Sequence, residues 1–335
     1  MRIWIDLANS PQVLFFVPII KELERRGHFV QITTKQYAQT VELANLFGLK
    51  HELIGKHGGS KLGNISVEVL KRSLQLFTYQ RSRKFDLCVS HNSYSQILTA
   101  RLAGIPSVTI MDYEYQPANH IAFRLAQKIV VPEVFPDWAL KNCGAYRHKV
   151  EKYHGLKEQV YLNSFSPQPG YFQTKGIPVE NPIAVIRPPA SWTLYQHFDN
   201  PLFDQLLEYI CAMPHVTMLV LPRVKSQAEP LKKLANKNLI IPNEVLSGPD
   251  ALFQADFVFS GGGTMNREAA ILGTPAYSFF MGKRPAVDNY LADLGRLTFL
   301  SNEDEIKKIQ IKKSGRHEIL QSPNLVNEIV QQILA

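Results

Sequence analysis

Short β-rich runs alternate with helical spans along nearly the whole chain, and no other feature narrows the fold as much. RIWID (Arg2 to Asp6), HFVQITT (His28 to Thr34), DLCVS (Asp86 to Ser90), PSVTIM (Pro106 to Met111) and KIVVP (Lys128 to Pro132) are separated by stretches with apolar residues at helical spacing. The first of these stretches, VLFFVPIIKELERRG, stops at Gly27. Strands joined by helices of this length fit a parallel sheet covered on both faces. From Tyr161 to Pro182 the texture changes: Pro, Gly and Asn recur without a sustained period, as in a connection between domains. Alternation then resumes with IAVIR (Ile183 to Arg187), VTMLVLP (Val216 to Pro222) and DFVFS (Asp256 to Ser260). The expectation is α/β, with a Rossmann-like domain over 1–165, a linker over 166–182 and a second Rossmann-like domain over 183–335. A length of 335 residues suits two domains.

Three consecutive glycines stand where DFVFS gives way to a helix that closes at Gly273. Ligands of open parallel sheets bind beyond the carboxyl ends of the strands. Without Cβ atoms, Gly261, Gly262 and Gly263 permit a sharp turn and let a ligand reach the backbone. The helix start near Thr264 adds N–H groups and a positive dipole end, so an anion fits there. A tight strand-to-helix turn would call for the same glycines. Neither G-x-G-x-x-G nor G-x-x-x-x-G-K-[ST] occurs at this place, which sets aside the common dinucleotide and P-loop signatures. Glu268, one turn after Thr264, is spaced to reach a ribose diol.

A net charge of +8 favours an anionic partner. No recognised nucleic-acid module or basic stripe interleaved with stacking aromatics is present, so nucleic acid is not expected. Cys88, Cys143 and Cys211 lack a C-x-x-C pairing and point to neither a zinc site nor a disulfide framework. The apolar run VLFFVPII (Val13 to Ile20) falls well short of the roughly 20 residues a spanning helix needs. With no basic-then-apolar leader, the expectation is a cytoplasmic protein.

SGGGTMNREAAILGTPA resembles the nucleotide-sugar site of GT-B enzymes, in particular the peptidoglycan N-acetylglucosaminyltransferase and the non-hydrolysing UDP-N-acetylglucosamine 2-epimerases. By that resemblance Gly261, Gly262, Gly263 and Thr264 hold phosphate and Glu268 holds ribose. FFMGKRPAVDNYL is similar to an epimerase segment with an Arg-Pro pair, here Arg284-Pro285. VIRPPAS and LPRVKSQ place Arg187 and Arg223 at two further strand ends, where they would neutralise a diphosphate. With the opening DLANSPQVLFFVPIIKELERRGHFVQITT and the segment DYEYQPANHIAFRLAQKIVVPE, the chain resembles an uncharacterised bacterial and archaeal family of predicted glycosyltransferases. The resemblance implies a GT-B fold, two Rossmann-like domains whose parallel sheets face a cleft. The second domain would bind the donor, and the first would offer acceptor and base.

No D-x-D flanked by an apolar strand is evident, so metal-independent chemistry with no cofactor beyond the nucleotide-sugar substrate is expected. In the peptidoglycan enzyme a histidine is the expected base in the first loop, whereas NSPQV here carries Gln12, which cannot take a proton. Asp6, Asp112 and Glu114, each at or just after a strand end, are the candidate catalytic residues; His91 reads as a satisfied loop histidine. The expected activity moves a sugar from a nucleotide sugar, UDP-linked by resemblance, to a glycan or lipid-linked acceptor in cell-surface assembly. A UDP-sugar 2-epimerase and a non-catalytic nucleotide- or glycan-binding relic remain the alternatives. Val67, Leu70, Leu74 and Phe77 recur at helical spacing among Lys71, Arg72, Arg81, Arg83 and Lys84. That pattern fits a core-facing helix, or a peripheral contact with anionic membrane on the acceptor side.

Overall fold

The computed structural model describes residues 1–335 apart from 57–61, 190–199, 223–226, 229–230, 232–236 and 316–317, and apart from the side chains of 62–66. By their contacts the residues divide into two units, Met1–Tyr161 with Pro285–Val287 and Ser322–Ala335, and Leu162–Arg284 with Asp288–Gln321.

In the first unit β1 (Arg2–Leu7), β2 (Phe29–Gln36), β3 (His51–Lys56), β4 (Leu87–Ser90), β5 (Ser107–Ile110), β6 (Lys128–Pro132) and β7 (Val150–Tyr153) form one parallel sheet in the order β3-β2-β1-β4-β5-β6-β7. Helices cover the sheet, so central strands such as β4 are buried at every residue and read as continuous apolar runs. The helix Ser10–Arg25 starts at Asn9, whose side chain accepts the Ser10 N–H, and runs through Pro18 without ending. An interior proline costs about 3 kcal/mol. Val13, Phe15, Phe16, Val17, Ile19, Ile20 and Leu23 are buried on this helix, and at about 1.5–3 kcal/mol each they outweigh that cost.

The second unit holds β8 (Ile183–Arg187), β9 (Thr217–Val220), β10 (Leu239–Ile240), β11 (Phe257–Ser260), β12 (Ala276–Ser278) and β13 (Leu297–Phe299), parallel in the order β10-β9-β8-β11-β12-β13. Each sheet therefore reverses its direction of growth once, between β1 and β4 in the first unit and between β8 and β11 in the second. Crevices at such reversals are where open α/β sheets take ligands.

Two features of the sequence-based division change. The helix Leu325–Leu334 buries Leu325, Ile329, Val330 and Ile333 in the core of the first unit, although the division at 183 assigns it to the second domain. The span 166–182 is not a bare linker, because Tyr171 and Phe172 are buried on a short helix, Tyr171–Thr174, and the Gln168 N–H donates to Asp250 at 2.9 Å. Both residues lie within the second unit.

Candidate functional site

At the reversal point of the second unit, Ser260 at the end of β11 pairs in register with Arg187 at the end of β8. The glycine loop follows Ser260, and its three residues have different reasons to lack a side chain. A Cβ on Gly261 would sit 3.1 Å from the Pro189 Cα and 3.2 Å from the Phe279 ring. Gly262 has φ +95°, and its Cβ would press on Phe280 at 3.0 Å. Gly263 has φ +93°, a region L side chains rarely adopt, but its Cβ direction meets nothing within 4 Å. The first two glycines are thus demanded by packing, and the third leaves the backbone open just before the helix Thr264–Leu272. Asn266 Nδ2 donates to the Ser260 carbonyl at 3.3 Å and ties the helix to the strand end. Glu268 is buried on the same helix one turn beyond Thr264.

Arg187 lies on the same sheet edge as the glycine loop. Arg284 is held over the Phe299 ring at 4.1 Å, at the end of β13 and two strands away from β11, and it donates to Ser301 Oγ at 3.3 Å. Arg223 lies outside the described residues. Sequence reasoning passed over the neighbouring Arg267, which is buried with its Nε 2.6 Å from Asp288 Oδ1.

At the reversal point of the first unit, the loops after β1 and β4 are joined by Gln12. The Ala8 N–H donates to its Oε1 at 2.6 Å, and its Nε2 donates to the His91 carbonyl at 2.8 Å. Gln12 is therefore a brace between the two loops. His91 Nε2 stands 3.2 Å from Asp112 Oδ1, and Lys157 Nζ stands 2.6 Å from Asp112 Oδ2. The Phe15 ring meets the imidazole edge-on at 5.7 Å. These residues come from the loop after β4, the loop after β5 and the segment after β7, so one chain of a half-buried His91 and the buried Asp112 and Lys157 spans the carboxyl edge of the sheet. The approach of His91 to Asp112 is a close charge contact without hydrogen-bond geometry, and Lys157 offsets the charge of the carboxylate. Glu114, two residues beyond Asp112, is also buried.

Asp6 has a different environment. Arg72 grips both carboxylate oxygens, at 2.7 and 2.8 Å; Thr33 donates to one of them at 2.6 Å, and Ser93 donates to the other. Burial by itself raises the carboxyl pKa, but the Arg72 charge and hydrogen bond, with those from Ser93 and Thr33, outweigh it and hold Asp6 below its ordinary value. Asp6 is fully buried and saturated with donors, which argues against the proton-accepting role considered for it. Arg72 is accordingly no surface cation.

The helix Leu62–Arg81 departs from the core-facing expectation. Its inner side carries Arg72, Ser73 and Leu76, whereas Val67, Leu70 and Leu74 are 63%, 61% and 68% exposed. The inner side is partly polar because it serves Asp6 and the helix Tyr94–Ala103, where Thr99 Oγ1 donates to the Ser73 carbonyl at 2.9 Å. Among the described residues no helix is long and apolar enough to cross a membrane.

Comparison with known proteins identifies the fold. A protein of Methanocaldococcus jannaschii described as uncharacterized is 28% identical over 315 residues, covering 91% of this chain and 89% of its own. Among solved structures, the UDP-GlcNAc 2-epimerase of Methanocaldococcus jannaschii in complex with UDP-GlcNAc and UDP superposes with a TM-score of 0.75 at 14% identity, over 100% of this chain and 99% of that one. MurG of Acinetobacter baumannii superposes with a TM-score of 0.58 at 16% identity, over 99% of each chain. The two parallel sheets with their helices are the α/β GT-B fold of these neighbours. The family model described as "Protein of unknown function (DUF354)" matches residues 1–334, and the chain belongs to that family.

Proposed function

We propose that the protein binds a nucleotide sugar, UDP-linked, at the glycine loop of its second unit and transfers the sugar to an acceptor, without a metal, in cell-surface glycan or glycolipid assembly. The observation that carries this reading is the loop itself: packed on one side against Pro189, Phe279 and Phe280, open at Gly263, and set at the sheet's reversal point before a helix start. Likeness to a structure that holds UDP-GlcNAc and UDP on the same fold supports the ligand class. In this proposal Gly261, Gly262, Gly263 and Thr264 contact the diphosphate, Arg187 neutralises it, and Glu268 binds the ribose hydroxyls. Arg223 and Arg284 are assigned supporting charge.

The proton acceptor is assigned to His91, with Asp112 3.2 Å from its ring and Lys157 behind that carboxylate, and Glu114 is the second acid of the loop that carries Asp112. Asp6 anchors the loops. The histidine missing from the first loop thus has a counterpart in the loop after β4, tied to the first by Gln12. Epimerisation is the second reading, favoured by the higher TM-score to the epimerase than to MurG.

Incubating the protein with UDP-sugars and a bacterial lipid and glycan extract, with products identified by NMR and mass spectrometry, tests the proposal. A new glycoside is expected, and His91→Gln should lower its rate by about 100-fold or more, the usual worth of a general base, with UDP affinity unchanged. A donor altered only at C2 would assign the epimerase, and nucleotide binding without turnover would leave a binding relic. Full activity in His91→Gln would return the role to Asp112 or Glu114.

The exposed row Val67, Leu70 and Leu74 is assigned to peripheral contact with anionic membrane at the acceptor side. Lys71, Arg81 and Lys84 are the exposed cations around it, each worth about 1 kcal/mol near such a surface. Arg72 drops out of this set because it is buried on Asp6; Arg83 is stacked over Tyr79 at 3.8 Å and lies 3.4 Å from Glu52. The variant Leu70→Glu/Lys71→Glu/Leu74→Glu should lose cosedimentation with phosphatidylglycerol vesicles and keep UDP affinity. A wild-type protein that stays in the supernatant at low salt would end this assignment.

A further inference from the structure

The loop after β5 reads DYEY, and its acids and aromatics separate. Asp112 and Glu114 are buried, whereas Tyr113 and Tyr115 are half-buried. Tyr113 packs against the hydrophobic core formed by Ile97, Phe123 and Phe135 and their neighbours. The Tyr115 ring lies 5.9 Å from Tyr113 at 68° and 5.8 Å from Trp138 at 44°. Trp138 is 50% exposed. It stands on the helix Asp137–Asn142, after β6, while the two tyrosines follow β5. β5 and β6 pair in parallel with Ile110 opposite Val130, so all three rings belong to the carboxyl edge that also carries His91 and Asp112. The result is a ladder of rings anchored in the core at one end and open to solvent at the other. Core packing explains Tyr113, but it does not explain an indole left half in water at the outer end.

We infer that Tyr113, Tyr115 and Trp138 form a stacking platform for a pyranose ring of a carbohydrate acceptor. A pyranose presents a flat face of C–H bonds that packs on a π-face, with hydroxyls around its rim for polar partners. Rigid aromatic side chains supply such area at low entropic cost. Two of the three rings, Tyr113 and Tyr115, lie in the same loop as Asp112 and Glu114, so the inner end of the platform adjoins the residues assigned to proton transfer. Gln116, whose Nε2 donates to the Tyr94 hydroxyl at 3.0 Å, adds a polar group to the same loop. This inference rests on the sugar-transfer reading for the role of the bound ring, but the binding itself is separable.

The test is a calorimetric titration of the full chain and its variants with chitotriose, cellotriose and mannotriose, alongside one with UDP. At least one trisaccharide should bind the wild type saturably. Trp138→Ala should weaken that affinity tenfold or more, Trp138→Phe should retain most of it, and both variants should bind UDP as the wild type does. No saturable binding of any of the three sugars, or an unchanged affinity in Trp138→Ala, would overturn the platform. Uridine alone binding in the same way, with the binding lost in Trp138→Ala, would also overturn it by making the ladder a nucleobase stack. Trisaccharide binding in a protein that fails to bind UDP would uphold the platform and remove the nucleotide-sugar reading instead.

Discussion

Arg72→Ala is expected to destabilise the first unit by about 3–5 kcal/mol, the range for removing one partner of a buried ion pair. The substitution strips both guanidinium contacts from a carboxylate that water does not reach. It also disturbs a chain of hydrogen bonds, because Trp4 Nε1 donates to Thr33 Oγ1 at 2.9 Å and Thr33 in turn donates to Asp6 at 2.6 Å. Trp4 is fully buried, so its fluorescence reports the unfolding transition in denaturant.

The sign of the pH dependence follows from Asp6. Its pKa is lowered in the folded wild type, so its stabilisation is present in full above the unfolded carboxyl value of about 3.9 and is lost as pH falls through the folded value. In Arg72→Ala the cation that offsets burial is gone, and the carboxyl then rises above its ordinary value. The penalty should therefore be largest near pH 7 and shrink on acidification as the buried group takes up a proton. The double variant Asp6→Leu/Arg72→Met, which leaves no uncompensated charge, should recover much of the loss. A single Arg72→Ala change that lowered the unfolding free energy by less than about 1 kcal/mol would show that the pair is not a keystone of the sheet.

The architecture was legible because parallel strands buried on both faces write themselves as apolar runs: FVFS of β11 and LCVS of β4 need no alternation to be recognised. The place of the last helix was not, since Leu325, Ile329, Val330 and Ile333 declare an apolar stripe without saying which core receives it. The glycine loop was visible for a backbone reason, positive φ at Gly262 and Gly263, that leaves few residue choices. The His91–Asp112–Lys157 chain was not, because its members are scattered along the sequence and meet only when β4, β5 and β7 lie in one sheet. Arg72 illustrates the same limit from the other side. Among Lys71, Arg81, Arg83 and Lys84 it looks like one more surface cation, and only the buried Asp6 distinguishes it. The row Val67, Leu70 and Leu74 has the spacing of a core stripe, yet the core side of that helix is taken by Arg72, Ser73 and Leu76.

The second large effect concerns the glycine loop. Gly263→Val is expected to lower UDP affinity at least 100-fold. A valine there is strained by φ +93°, at about 1–3 kcal/mol, but its Cβ meets no protein atom within 4 Å. The branched side chain would project into the open space before the helix start, where the proposal puts the diphosphate. A circular-dichroism melt separates a folded variant from an unfolded one. Glu268→Ala provides an independent arm: losing hydrogen bonds from a charged group to the ribose should weaken UDP by about 1.5–3 kcal/mol, or roughly 10- to 150-fold.

Calorimetric titration of UDP into the wild type, Gly263→Val and Glu268→Ala is therefore the measurement that tests the donor site most directly. Saturable one-site binding to the wild type, lost in a folded Gly263→Val and weakened in Glu268→Ala, is the predicted result. No binding of UDP to the wild type, or equal affinity in all three proteins, would contradict it.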